Sequence, residues 1–188
     1  KMICFFAFLL AACRRRRKYH IDSHDSPTYN EANKLCPKFE HWAHGRGRLM
    51  KAIILYYSYK GHTKKVAEKL ARAQGAELVE IHTKKRKNML MTFLVDCPRA
   101  RMRKISAIEP ITQDLSSYEL ITLAAPVWNS YPAPAFNAMV GLLPKGKNIE
   151  VIMVSSGGDT KKVEEGTRKL IKKQGCTVVA YKDIRGQA

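Results

Sequence analysis

Apolar and polar positions alternate in blocks along residues 50–188, and the blocks carry two different periods. "KAIILYYS" (51–58) is almost continuously apolar and β-prone, the pattern of a strand buried on both faces. "HTKKVAEKLARAQG" (62–75) then sets Val66, Leu70 and Ala73 on one face at helical spacing and ends on Gly75 as a C-cap. "AELVEIH" (76–82), "YELITLAAP" (118–126), "NIEVIMVSS" (148–156) and "CTVVAYKDI" (176–184) predict four further strands. "PAPAFNAMVGLL" (132–143) predicts a helix opening on prolines, whose missing N–H costs nothing there. "DTKKVEEGTRKLIKKQG" (159–175) predicts an amphipathic helix with Val163, Leu170 and Ile171 among its apolar positions. Residues 83–117 are less regular, with a helix expected around 88–104 and an extended stretch after it.

Strand and helix alternate five times, which predicts a doubly wound α/β fold with a parallel five-stranded sheet and helices on both faces. The usual order is 2-1-3-4-5, with ligands held outside the carboxyl ends of the strands. A closing helix is expected after the fifth strand, yet the chain stops at "RGQA". Truncation is the expectation, with apolar sheet surface left uncovered.

Residues 1–49 break this pattern and read as a poorly ordered basic extension, which places the domain boundary at Met50, itself a candidate translation start. The apolar run from Met2 to Ala12 is too short for a bilayer span of about 20 residues. Leu10-Ala11-Ala12-Cys13 looks like a lipoprotein cleavage box, but the "RRRRK" that follows argues against export. Membrane association is therefore not expected beyond a weak N-terminal anchor. His20, His24, Cys36, His41 and His44 fit no standard zinc spacing, so no metal is expected.

Charge changes the picture more than composition does. Lys and Arg number 34 against 16 acids, a formal +18, which favours acidic partners of whatever kind. The runs "RRRRK" (14–18), "KKRK" (84–87) and "RARMRK" (99–104) come without interleaved aromatics or a recognition-helix pattern. Solvated charge is their reading, and no specific nucleic acid is expected. The five cysteines are scattered, with no C-x-x-C. That excludes a disulfide framework or four-thiolate zinc site and points to a reducing, cytoplasmic setting.

Candidate chemistry gathers in three loops at one edge of the expected sheet. After the first strand come Ser58, Tyr59, Lys60, Gly61, His62 and Thr63: hydroxyls, a glycine for close backbone approach, and a helix N-terminus that favours an anion. After the third come Pro126, Val127, Trp128 and Asn129, with one large flat side chain. After the fourth come Ser156, Gly157 and Gly158, whose backbone can meet a ligand edge. Phosphate cradle, aromatic lid and glycine ledge describe a site for a phosphorylated planar ring. Trp128 by itself serves packing or partner contact as readily as stacking. "GLLPKGKN" (141–148) is not a nucleotide loop, since it follows a helix and Asn148 lacks the magnesium-binding hydroxyl. A phospho-acceptor receiver would need carboxylates where Ser58 and Pro126 stand.

"YYSYKGHTKKVAEKLA", "PVWNSYPAPAFNAMV" and "VSSGGD" resemble the three FMN-binding segments of the flavodoxin family, particularly its short bacterial-type members, over about residues 50–184. The resemblance implies that Ser58 to Thr63 wrap the FMN phosphate, that Pro126 to Asn129 border the isoalloxazine with Trp128 as the stacking candidate, and that Ser156, Gly157 and Gly158 line the ring's other edge. Lys60 stands where the family usually has Thr or Ser, and His62 where it often has Asn. Such a protein is expected to carry electrons at low potential between redox partner proteins or to a small-molecule acceptor, with no catalytic residue of its own. Two alternatives remain: an FMN-dependent NAD(P)H:quinone-type oxidoreductase, and a flavin-free interaction module binding acidic partners. Flavodoxins are commonly acidic, whereas residues 50–188 hold 24 basic and 12 acidic groups, a net +12. The bound flavin's potential is accordingly expected to be depressed less than in acidic relatives.

Overall fold

The computed structural model describes residues 51–84, 95–157 and 160–186. Strand β1 (Ala52–Tyr56) leads to helix α1 (His62–Gln74) and strand β2 (Glu77–Glu80). A short helix α2 (Cys97–Arg101) and a 3-10 turn (Leu115–Ser117) precede β3 (Leu120–Trp128), β4 (Tyr131–Pro132) and α3 (Pro134–Gly141). The chain continues through β5 (Asn148–Ser155), α4 (Lys161–Lys173) and β6 (Thr177–Arg185). The sheet runs β2-β1-β3-β5-β6, all parallel, with β4 paired antiparallel to the end of β3. Counting parallel strands alone, this is the expected 2-1-3-4-5 order.

Alternate residues of the central strands feed two cores, as the period of a strand requires. Ile53, Leu55, Ile121, Leu123, Ile149, Val151 and Met153 pack with Phe136 and Met139 of α3 and Ile171 of α4. On the other face, Ile54, Ala124, Ile152 and Val154 meet Ala67, Leu70 and Ala71 of α1. The buried stripe of α1 is thus Thr63, Ala67, Leu70 and Ala71; the expected Leu70 lies on it, and the expected Val66 and Ala73 are half-buried, Val66 packed against the same core. Gly75 caps α1 at φ 62°, a conformation that only glycine adopts cheaply.

Two expectations need correction. Residues 126–132 are not a loop opening a helix: β3 runs on to Trp128, turns through Asn129 and Ser130, and returns as β4, so α3 starts only at Pro134. Nor does apolar sheet surface lie bare toward the sheet's first half, where a closing helix would pack: Ile54 is buried and Leu78 half-buried. Met102, Ile105 and Leu142 are the exposed large apolar side chains among the described residues. Strand β6 is half-buried along most of its length, and its Lys182 lies 3.3 Å from the buried carboxylate of Glu150. Of the helix expected over 88–104, Cys97–Arg101 is helical; residues 85–94 lie outside the described part, as do the expected extension 1–49 and its histidines.

Candidate functional site

Because β1, β3 and β5 are neighbours in the sheet, whatever follows each of them emerges side by side. The ladder from β1 ends where the Tyr57 N–H meets the Ala124 carbonyl at 3.0 Å. The chain then bends through Ser58, Tyr59 and Lys60 to Gly61. The Gly61 N–H donates to Ser58 Oγ at 3.1 Å, and Gly61 itself takes φ 89° with open space where a Cβ would stand. A left-handed residue here reverses the chain within one step, so α1 begins at His62 and points its N-terminus at the bend. No side chain caps that N-terminus; the first helical bond runs from the Lys65 N–H to the Gly61 carbonyl at 3.0 Å. Thr63 is buried in the first turn and Lys60 is exposed beside it.

A cavity of about 570 Å³ opens against this bend. Its walls include Ser58, Lys60, Gly61 and Lys64 on one side and Glu80, His82 and Glu109 on the other. Tyr56 donates its hydroxyl to Glu80 Oε2 at 2.8 Å, and the Lys64 ammonium lies 3.6 Å from the same oxygen. Burial first, and then that hydrogen bond, push the Tyr56 hydroxyl well above the usual tyrosine range. Glu80 is thereby engaged by protein partners, and Lys60 and Lys64 are exposed cations of the wall. The residues at the ends of β3 and β5 do not line this cavity.

Trp128 reaches the bend from β3. The Tyr57 and Tyr59 rings both stand edge-on to it at 6.0 Å, with interplanar angles of 78° and 89°. These edge-to-face contacts fix the half-buried indole against the bend. Pro126 and Val127 continue the strand beneath Trp128, half-buried, and Asn129 is exposed in the turn. Asn129 and Ser130 have φ 49° and 65°, the twist that matches a two-residue hairpin to its strands. Tyr57 and the hairpin partner Tyr131 were not singled out from sequence; the apolar run "YYSY" hides which tyrosine turns toward the rim.

The third segment is built differently. Ser155 is buried and donates to Asp183 Oδ1 at 2.9 Å, its carbonyl accepts the Gly186 N–H at 2.8 Å, and Arg185 Nε donates to the Ser156 carbonyl at 3.2 Å. Ser156 and Gly157 are exposed, while Gly158 lies outside the described residues. The first two segments are therefore in direct contact through Trp128, and the third stands beside them by strand order. No group of His, Cys, Asp and Glu side chains among the described residues has the arrangement of a metal site. What the rim offers is an uncapped helix end with exposed lysines at its lip, next to the half-buried indole of Trp128.

Comparison with known proteins agrees with this architecture. The model of a family described as flavodoxin matches residues 51–184. The chain is similar to the flavoprotein from Lactobacillus acidophilus crystallised in complex with FMN, at 24% identity over 73% of this chain and 93% of that one, with a TM-score of 0.61. The apo-form of the flavoprotein from Lactobacillus acidophilus, solved by NMR, gives 25% identity over 73% and 95%, with a TM-score of 0.59. A candidate flavoprotein from Bacteroides eggerthii gives 18% over 71% and 87%, with a TM-score of 0.62. No curated protein matches the chain significantly.

Proposed function

The chain belongs to the flavodoxin family, and we propose that it binds FMN at this rim and carries electrons through it. The observation that carries the reading is the uncapped start of α1 behind Gly61, set directly beside Trp128. The residues fit such a cofactor. A phosphate at the bend would be held by the first backbone N–H groups of α1 at the positive end of the helix dipole, worth about 0.3–1 kcal/mol by itself. Hydrogen bonds to a charged group add about 1.5–3 kcal/mol each, so the amides and the Ser58 hydroxyl would supply most of the grip, while Thr63, 1% exposed, stays buried in the first turn. Lys60 would add a cation where the loop is open to solvent. Trp128, in edge-to-face contact with Tyr57 and Tyr59, would border the ring, with Asn129 beyond it and Ser156 and Gly157 on the neighbouring segment.

FMN, when bound, supplies the one- and two-electron chemistry, and the protein supplies binding, orientation and field. No side chain is required as acid, base or nucleophile, and none of the proposed contacts is given that role. The partners would be redox proteins or a small-molecule acceptor. A reducing cytoplasmic setting suits the two described thiols, Cys97 and Cys176, which are unpaired; no helix among the described residues is long and apolar enough to cross a membrane. The test of carrier against reductase is turnover. The FMN-loaded chain is expected to accept electrons from dithionite and pass them on, but to consume NAD(P)H with quinone no faster than free FMN does. Sustained turnover above that level would make it a reductase instead.

A further inference from the structure

The basic segment after α2 has a shape that solvated charge does not need. The Met102 N–H bonds the Pro98 carbonyl, the Arg103 N–H the Ala100 carbonyl and the Lys104 N–H the Arg99 carbonyl, all at 2.9–3.0 Å. Arg99 Nη2 closes the turn by donating to the Ile105 carbonyl at 3.0 Å. At its apex Arg103 takes φ 51°, a left-handed conformation that a non-glycine residue holds only when its surroundings fix it. They do: the guanidinium is turned inward, donating to the Val163 carbonyl at 3.2 Å and lying 5.8 Å from the Tyr131 ring. Gly166 makes room for it, since a Cβ there would come within 2.7 Å of Nη2.

Turning Arg103 in turns its neighbours out. Met102 is 60% and Ile105 64% exposed, and they are two of the three exposed large apolar side chains among the described residues. Arg101 and Lys104 are exposed beside them, and no carboxylate pairs with either among the described residues. The turn is also fastened to α3, the helix that follows the hairpin carrying Trp128. Asn137 Nδ2 donates to the Lys104 carbonyl at 3.0 Å, and the Ser106 N–H to the Pro134 carbonyl at 3.3 Å.

We propose that the turn 99–105 is a docking surface for an acidic redox protein, which covers Met102 and Ile105 with an apolar patch and pairs its carboxylates with Arg101 and Lys104. An apolar centre containing Met within a charged rim is the composition of protein interfaces, and unpaired surface cations steer an acidic partner toward them. The position suits electron transfer, because the turn's Arg103 reaches Tyr131, which pairs with Trp128 across the hairpin. A membrane is the poorer occupant, since two side chains make no amphipathic face. Nucleic acid is poorer too, since the turn has no aromatic residue to stack a base. The proposal rests on the FMN reading for its function, not for its contact surface.

The test uses the full chain loaded with FMN and reduced by dithionite, an acidic ferric b-type cytochrome as probe, and the variants R101E/K104E and M102S/I105S. One electron leaves the reduced chain and the ferric haem becomes ferrous. At low salt R101E/K104E is expected to slow this transfer by about tenfold or more, M102S/I105S to slow it at every salt concentration, and neither to alter reduction of uncharged benzoquinone. Basic cytochrome c should respond to the charge reversal in the opposite direction. An unchanged rate to the acidic cytochrome in R101E/K104E overturns the proposal. So does loss of binding to phosphatidylserine vesicles, or to a single-stranded oligonucleotide, in that variant while the cytochrome rate holds. If the chain takes up no FMN, the functional reading fails separately, and binding of the same cytochrome to the flavin-free chain and variants still decides the surface.

Discussion

Gly61 joins strand to helix with φ 89° and nothing within 4 Å of the position of a Cβ. Substitution there is therefore opposed by backbone conformation alone, which costs about 1–2 kcal/mol for an L-residue. Gly61→Ala is expected to lower stability by that amount in chemical denaturation and to weaken FMN binding, because the strain is relieved by moving the amides proposed to hold the phosphate. An unchanged affinity would remove Gly61 from the cradle. Tyr118 gives a second test, from pH. Its hydroxyl donates to Glu77 Oε2 at 2.6 Å, and burial first, with that bond after it, pushes its pKa up to about 12 from an ordinary 10. The raised value means that the folded state favours the protonated phenol. Its contribution is whole below pH 10 and is lost as pH rises through about 12. Melting temperature should fall more steeply over that window in the native chain than in Tyr118→Phe; parallel curves would contradict it. At this scale the sequence was informative where chemistry is local. Ser58, Gly61 and Thr63 declare a strand-to-helix bend by residue type. Tyr57 and Arg103 do not, because their roles come from partners 71 and 60–64 positions away.

Elements were legible wherever a period could express itself. The parallel strands of the centre read as unbroken apolar runs, and α4 shows its stripe through Val163 and Ile171, both buried. The hairpin at the end of β3 was not legible, for a specific reason. Two-residue turns with positive φ usually announce themselves with Asn-Gly, and here Ser130 occupies the second position at φ 65°, between prolines that suggest a loop. Ser130→Gly should relieve that conformation and raise stability by up to about 1 kcal/mol, measured by thermal unfolding. A loss of stability instead would mean that the Ser130 side chain, not the turn geometry, holds the hairpin. The buried face of α1 keeps the expected Leu70 but adds small residues: Thr63 and Ala71 are small enough to pack against the sheet, while Val66, more apolar by residue type, is only half-buried.

Across the whole molecule, the parallel α/β arrangement followed from five alternations and a short list of allowed connections, whereas the surface charge follows from no rule of fold. A net +12 over residues 50–188 surrounds the rim with a field opposite in sign to that of acidic relatives. Reduced flavin carries negative charge, so this field should hold the potential above that of an acidic flavodoxin at low salt. A difference of 59 mV per electron corresponds to about 1.4 kcal/mol, and salt screens exposed charges beyond a Debye length of about 10 Å at 0.1 M. Redox titration should therefore show the potential falling as salt rises; a potential that rises with salt would contradict the sign of the field.

The central claim is that the bend around Gly61 holds a flavin by its phosphate. Titrating the full chain with FMN and with riboflavin, which differ only in that phosphate, while following flavin fluorescence separates this from every weaker reading. The account predicts saturable quenching by one equivalent of FMN and binding of riboflavin weaker by about two orders of magnitude or more, as the loss of two or more charge-assisted hydrogen bonds requires. Equal affinity for the two flavins, or no quenching by either, would contradict it.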